Sequence, residues 1–424
     1  MAGLSQIPLN QFTMNTSATP LHDIVSTQYT KWVYPEPILD LPAWLANNWQ
    51  WFDPSHAHRM FWPNQSYRAG LDILVAGCGT NQAAVIAFTN PGAQVVAVDV
   101  SRESLGHQQF LKDKYGLKNL ELNLLPIEEI ASLGRDFDLI ISTGVLHHMA
   151  SPEAGMKALA GCLRPDGVAA IMLYAKYGRI GVDMMQAVFR DMGLDQSEDS
   201  VQMVKQVLAS LPADHPVKSY MTIAPDLGFD AGLVDTFLHG RDHNYSVKDC
   251  LDLVASAGLV FQDLFFKAPY HPPMLSKDPT HLALNQLPKE RQWSIMEQTN
   301  FRNGCHFFTA CRADRPESTY KIDFAQPKAF EYIPSLRYRC SLNGPTLARN
   351  NWSMNLDLAQ LALLQQMDGQ RSIRQLADAL ADAHLFKHMK PVEFDAYVIQ
   401  QFQALWQMDF LAMGIAYPAS KFSP

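Results

Sequence analysis

The sequence predicts an α/β fold: a seven-stranded parallel sheet covered by helices on both faces, followed by a small, mainly helical domain. Three observations predict it. Short Val/Ile/Leu runs alternate with amphipathic stretches across residues 68–313, the pattern of strands buried on both faces. The first run breaks into "GCGTN" (77–81), a glycine-rich turn at the end of a strand. The length of 424 residues exceeds what one core usually holds, so a second domain is expected.

Composition narrows the class. Hydrophobic content of 47% with 18% charged residues suits a folded, soluble protein. A formal net charge of −8 opposes a general electrostatic role on nucleic acid. Six cysteines without a CxxC pair read as reduced thiols of a cytoplasmic protein, neither a disulfide framework nor a zinc site. The first twenty residues lack a basic stretch followed by an apolar core, so no signal peptide is expected. No apolar run reaches the roughly 18 residues that span a bilayer, so no membrane partner is expected either.

The elements follow in order. Residues 1–20 read as a flexible, polar lead-in, and 21–67, rich in Trp, Tyr and Pro, as an N-terminal cap. "LDILVAG" (71–77) is the first strand, followed by a helix over "NQAAVIAF". "AQVVAVDVS" (93–101) is the second, with "RESLGHQQFLKDKYG" its helix, and "NLELNLLP" (119–126) the third. "FDLIISTG" (137–144) is the fourth, followed by a helix near "PEAGMKALAGCL". "RPDG" reads as a turn before the fifth strand, "VAAIMLYA" (168–175). A helical insertion is expected at about 176–244. "YSVKDCLDLVASAG" then forms a helix with Ser246 as N-cap and Gly258 as its stop. "LVFQDLFF" (259–266) and "CHFFTACR" (305–312) complete seven strands. Residues 314–335 read as a linker and 336–424 as the C-terminal domain.

In such sheets ligands sit beyond the carboxyl ends of the strands. Gly77 and Gly79 let backbone approach a ligand closely, and Asp99 closes the next strand, where a carboxylate meets ribose hydroxyls. Both nicotinamide dinucleotides and S-adenosylmethionine use this pair of features. The dinucleotide fingerprint asks for a third glycine where Gln82 stands. Together with "FDLIISTGVLHH" and "LRPDG", the loop and Asp99 resemble class I S-adenosylmethionine-dependent methyltransferases over roughly 60–313, a Rossmann-like fold. Asn81 stands where that family's loop usually has its third glycine.

The resemblance implies S-adenosylmethionine as cofactor and methyl transfer to a small-molecule or peptide acceptor by in-line displacement. It places the amino-acid end of the cofactor on Gly77, Cys78, Gly79, Thr80 and Asn81, and the ribose on Asp99 beside Val100. Ile127 and Glu128 would flank the adenine, while Thr143, Gly144 and Val145 line the floor near the reactive methyl. The alternatives are an NAD-dependent oxidoreductase and a non-catalytic cofactor-binding scaffold.

Other residues are candidates on either of two readings. His147 and His148 follow the fourth strand, where an imidazole deprotonates an acceptor or merely packs. Tyr174, Tyr177 and Arg179 lie past the fifth strand, on the acceptor side, with Arg179 meeting an acceptor anion or forming a salt bridge. Tyr34, with Tyr29, belongs to a cap over the cofactor or to plain core. His239 and His243 have the spacing of a two-ligand metal face on a helix, but no third ligand stands out and no metal is expected. The Met-rich helix 183–192 reads as core or pocket wall. Beyond the linker, "LLQQMDGQRSIRQLADAL" resembles winged-helix modules of the PqqD-like peptide-binding type. Residues 331–424 carry eight Lys/Arg against eight Asp/Glu, so the expected contact is with protein (a peptide substrate, a partner or a second copy), not nucleic acid.

Overall fold

The structure is a computed structural model that describes residues 24–300, 302–349 and 352–415; the lead-in expected at 1–20 lies outside these residues. The described chain forms two compact units. The first comprises residues to Phe52 together with Arg68–Phe261 and Glu297–Asp314. The second comprises Asp53–Tyr67, Gln262–Met296 and the chain from Arg315 onward.

The first unit is built on the expected seven-stranded sheet. Its strands are β1 (Asp72–Ala76), β2 (Gln94–Asp99), β3 (Leu120–Leu124), β4 (Phe137–Thr143), β5 (Leu163–Tyr174), β6 (Leu259–Leu264) and β7 (Cys305–Arg312). Their order is β3-β2-β1-β4-β5-β7-β6. The pairs among β1 to β5 are parallel, and β7 runs antiparallel to β5. Every residue of β4 but Thr143 is buried, as a strand covered on both faces requires. Strand order reverses about β1, so the loops after β1 and β4 open side by side at the carboxyl end.

Local chemistry sets the helix bounds. Ser101 caps Arg102–Tyr115, and Gly116, at φ +62°, ends it. Ser246 and Asp249 form a reciprocal capping box at Val247–Ser256, and Gly258 follows with φ +73°. The insertion is helical over Ile180–Asp191, Glu198–Ser210, Pro216–Met221 and Asp230–Phe237, packed around Val182, Phe189, Val204 and Phe237. In its first helix Met185 is core, while Met184 and Met192 are exposed.

The structure differs from expectation in several places, beginning with β7, which is antiparallel to β5 where a parallel sheet is expected. "RPDG" is part of β5, where the register with β4 slips between Phe137 and Leu139. Arg164 there pairs with Asp72 at 2.6 Å and Asp138 at 2.8 Å, holding the segment extended. The expected cap 21–67 divides between the units at Phe52. The expected linker 314–335 is not a tether, because Phe324, Ala329 and Tyr332 are buried in the core of the second unit.

That unit is less purely helical than expected. Strands β8 (Ile333–Leu336), β9 (Cys340–Asn343), β10 (Thr346–Arg349), β11 (Trp352–Asn355) and β12 (Leu411–Gly414) form a β11-β10-β9 sheet and a β12-β8 pair. They accompany helices Leu358–Gln365, Ile373–Asp378 and Pro391–Gln407, with Leu363, Leu376, Val398 and Phe402 at the centre. Asp409 is buried there, accepting from the backbone N–H of Lys267 and Ala268 and pairing with Arg337 at 2.6 Å.

Two stability measurements check this account. Asp409→Ala leaves the Arg337 charge and two N–H groups buried without their partner. It is expected to lower the stability of the second unit by ~3 kcal/mol, read from the urea midpoint. In the first unit, burial raises the Glu297 carboxyl to about 7, with the Val247 N–H working against the shift. A folded value above the unfolded one makes protonation stabilising. Stability from this group is therefore full below about pH 4.5 and is lost as pH rises through 7. Glu297→Gln should flatten the urea midpoint across that window.

Candidate active site

The loop after β1 is shaped by what crowds it. Gly77 and Gly79 have φ of +74° and +54°, a region side chains resist. A Cβ on Gly77 would collide with the Val145 side chain, and one on Gly79 would lie 3.0 Å from Pro35. The loop is thus pressed between the turn after β4 and the N-terminal segment.

Its polar groups are tied down in turn. The Gly79 N–H donates to one Asp99 oxygen and the Ser101 N–H to the other, each at 2.8 Å. Burial raises the Asp99 pKa, and these N–H groups oppose the rise. The carboxylate keeps lone pairs for further donors. Gln108 donates to the carbonyls of Cys78 and Gly79 at 3.2 and 3.1 Å and accepts from the Ala84 N–H at 2.9 Å. Thr80 donates to the Pro35 carbonyl at 2.9 Å. Gln82 reaches Thr143 at 3.1 Å, filling the space that a third glycine would leave open.

The remaining cofactor candidates line up with these. Val100 follows Asp99 at the end of β2, and Gly144 (φ +74°) and Val145 follow β4. Ile127 is buried and Glu128 exposed on the first turn of a 3-10 helix after β3. Cys78 is buried, and burial pushes its thiol well up, so it offers packing, not thiolate chemistry.

A second group of polar side chains gathers past β4 and β5. His147 stacks on Tyr174 with centroids 3.8 Å apart, and its Nδ1 accepts weakly from the Tyr174 N–H at 3.4 Å. His148 donates from Nδ1 to the Arg241 carbonyl at 3.0 Å and stacks on His239 at 3.8 Å. His239 accepts at Nδ1 from the Arg241 N–H at 3.0 Å. Asp235 accepts from Tyr29 at 2.8 Å and from Tyr174 at 3.0 Å, and Tyr34 donates to Asp226 at 3.0 Å. Burial raises the Tyr29 pKa, and the charge of Asp235, to which it donates, adds to the rise. Burial lowers His147 well below the usual imidazole range and takes His239 to about 2, so both rings are neutral.

Some sequence candidates change role here. Arg179 is buried and already committed to Asp242 at 2.9 Å, Tyr220 at 2.7 Å and Asn244 at 3.1 Å, so it is a strut and not a free anion receptor. Tyr177 is half-buried, with Lys176 over its ring. His239 and His243 do not share a helix face, because the helix ends at Phe237. His239 instead joins His148 and Asp235, while His243 bonds to the His147 carbonyl at 3.0 Å. The hydrogen bonds fix the tautomers: His147 and His239 accept at Nδ1 and carry their proton on Nε2, and of these three stacked rings His148 offers an Nε2 lone pair. A divalent cation needs several such lone pairs, so the donor set suits a proton-bearing ligand better.

Gln108, Asp235 and Asp242 escaped the sequence reading. Gln108 left one signal, a polar residue on the inward face of an amphipathic helix. The two aspartates left none.

Comparison with known proteins agrees with the first unit. Residues 74–169 match the methyltransferase domain family. An uncharacterized protein of Synechococcus sp. is 28% identical over 377 residues, 86% of this chain and 88% of that one. The tRNA U34 carboxymethyltransferase of Methylococcus capsulatus is 34% identical over 101 residues, 23% of this chain and 31% of the relative. The structure of PKMT2 from Rickettsia typhi in complex with AdoHcy has a TM-score of 0.60 at 17% identity, covering 87% of this chain and 76% of that one. The shared fold is that of class I methyltransferases.

Substitution tests the loop geometry. Gly77→Ala is expected to cost at least about tenfold in S-adenosylhomocysteine affinity. Adding Val145→Ala removes the collision but not the φ strain, so calorimetric titration should show partial recovery.

Proposed function

We propose, from the premise that the chain is an S-adenosylmethionine-dependent methyltransferase, that it methylates a small molecule or a peptide held beyond the ends of β4 and β5. The observation that carries the reading is the Asp99 carboxylate, fixed by two backbone N–H groups of the loops it joins and retaining lone pairs for the two ribose hydroxyls. The backbone of Gly77 to Asn81 takes the amino-acid end of the cofactor. Ile127 packs on the adenine with Glu128 at its edge. Thr143, Gly144 and Val145 form the floor under the sulfonium.

Transfer is an in-line displacement: the acceptor's lone pair attacks the methyl carbon, and the C–S pair returns to sulfur. Orientation supplies most of the rate. The NAD reading is disfavoured by Gln82, whose amide stands where a pyrophosphate needs close backbone approach. Residues 336–424 are read as a protein-contacting module, for a peptide, a partner or a second copy. The even charge of that region supports protein over nucleic acid. No helix of the described residues is long and apolar enough to cross a membrane, and the proposed place of work is the cytoplasm.

Titration with S-adenosylhomocysteine, with NAD in parallel, tests this. Micromolar binding of the first and none of the second is expected. Asp99→Ala should weaken it by ~10–100-fold, the worth of charge-assisted hydrogen bonds to two hydroxyls. Binding of NAD alone would overturn the reading.

A further inference from the structure

The buried cluster past β4 brings three polar groups together. A ring nitrogen of His148, a ring nitrogen of His239 and a carboxylate oxygen of Asp235 lie within 4.8 Å of one another. The Nε2 atoms of His148 and His239 are buried and have no hydrogen-bond partner. Leaving such groups unpaired costs ~1–3 kcal/mol each, which a fold does not sustain without a return.

The three groups are also chemically distinct. His148 offers a lone pair, because its Nδ1 proton is engaged by the Arg241 carbonyl. His239 offers an N–H, because its Nδ1 accepts from the Arg241 N–H. Asp235 offers an anionic oxygen held in place by the hydroxyls of Tyr29 and Tyr174. Their complement is one atom that has a proton to give and a lone pair to share.

Resting on the methyltransferase reading, we propose that this cluster receives the acceptor's nucleophilic atom, an O–H or N–H, with His148 as the base that removes its proton. Asp235 and His239 hold that atom toward the methyl. As the lone pair forms the new bond to carbon, the C–S pair returns to sulfur and the acceptor proton passes to Nε2 of His148. The resulting imidazolium is steadied by Asp242, whose otherwise unpartnered Oδ1 lies 3.8 Å from His148 Nδ1. Arg179 and Gln186 hold the other Asp242 oxygen, making it a positioning residue. The proton then leaves to solvent, so each turnover yields methylated acceptor, thioether and one proton. An acceptor with no proton to lose, such as a thioether, needs none of this.

A test that needs no known acceptor compares sinefungin, which carries an amine where the cofactor carries its methyl, with S-adenosylhomocysteine. The wild-type chain is expected to bind sinefungin at least about tenfold more tightly, because its ammonium faces Asp235 and the His148 lone pair. Asp235→Asn and, independently, His148→Gln should each bring the affinity ratio toward one. S-adenosylhomocysteine affinity should stay within about threefold and thermal unfolding should stay unchanged. Where one variant does not fold, the other carries the test. An unchanged ratio in a folded variant overturns the proposal while the methyltransferase reading stands. Failure of both ligands to bind the wild type overturns that reading itself.

Discussion

The approach of the loop after β1 to the turn after β4 is the constraint on which the first unit depends. At Gly77 the backbone lies so near Val145 that no side chain fits. That contact brings the ends of two adjacent parallel strands together. Everything around it works to keep the loop in its strained φ region. Asp99 receives the Gly79 N–H, Gln108 takes two carbonyls, and Pro35 closes the outer side. A loop anchored at this many points loses little further entropy when a ligand arrives, which is the physical meaning of preorganisation.

The polar cluster past β5 is costly by comparison. Asp235, Asp242, Arg179 and three histidines are withdrawn from water, where unpaired charge is not tolerated. The charges are satisfied in pairs: Arg179 by Asp242, and Asp235 by two phenols. What is left unsatisfied is confined to imidazole Nε2 atoms and one carboxylate oxygen, all within one neighbourhood. An ordinary core would place apolar side chains here, so buried polar atoms left without partners are a cost to stability.

Legibility in the sequence followed the distance over which each interaction acts. The strands of the sheet, the Ser246 cap and the Gly77–Asp99 pair could be read because buried strands, capping residues and the βαβ unit are local patterns. The polar cluster past β5 could not, because Tyr29 meets Asp235 across 206 residues and His148 meets Arg241 across 93. No periodicity encodes such pairings. The segment 314–335 misled for a related reason: its aromatic residues carry no regular spacing, yet Phe324 and Tyr332 are core.

By itself, the sequence determined the α/β class, the seven strands and the glycine loop that ends the first of them. These depend on backbone conformation and burial patterns that neighbouring residues impose on one another. Only the tertiary structure decided that Arg179 is a strut and that His239 faces His148 in place of a helical partner. It also decided the tautomers of His147, His148 and His239. Those outcomes rest on hydrogen bonds between chain segments that meet only when the insertion folds back over the sheet. A proton's position on a ring is set by the partner it finds there.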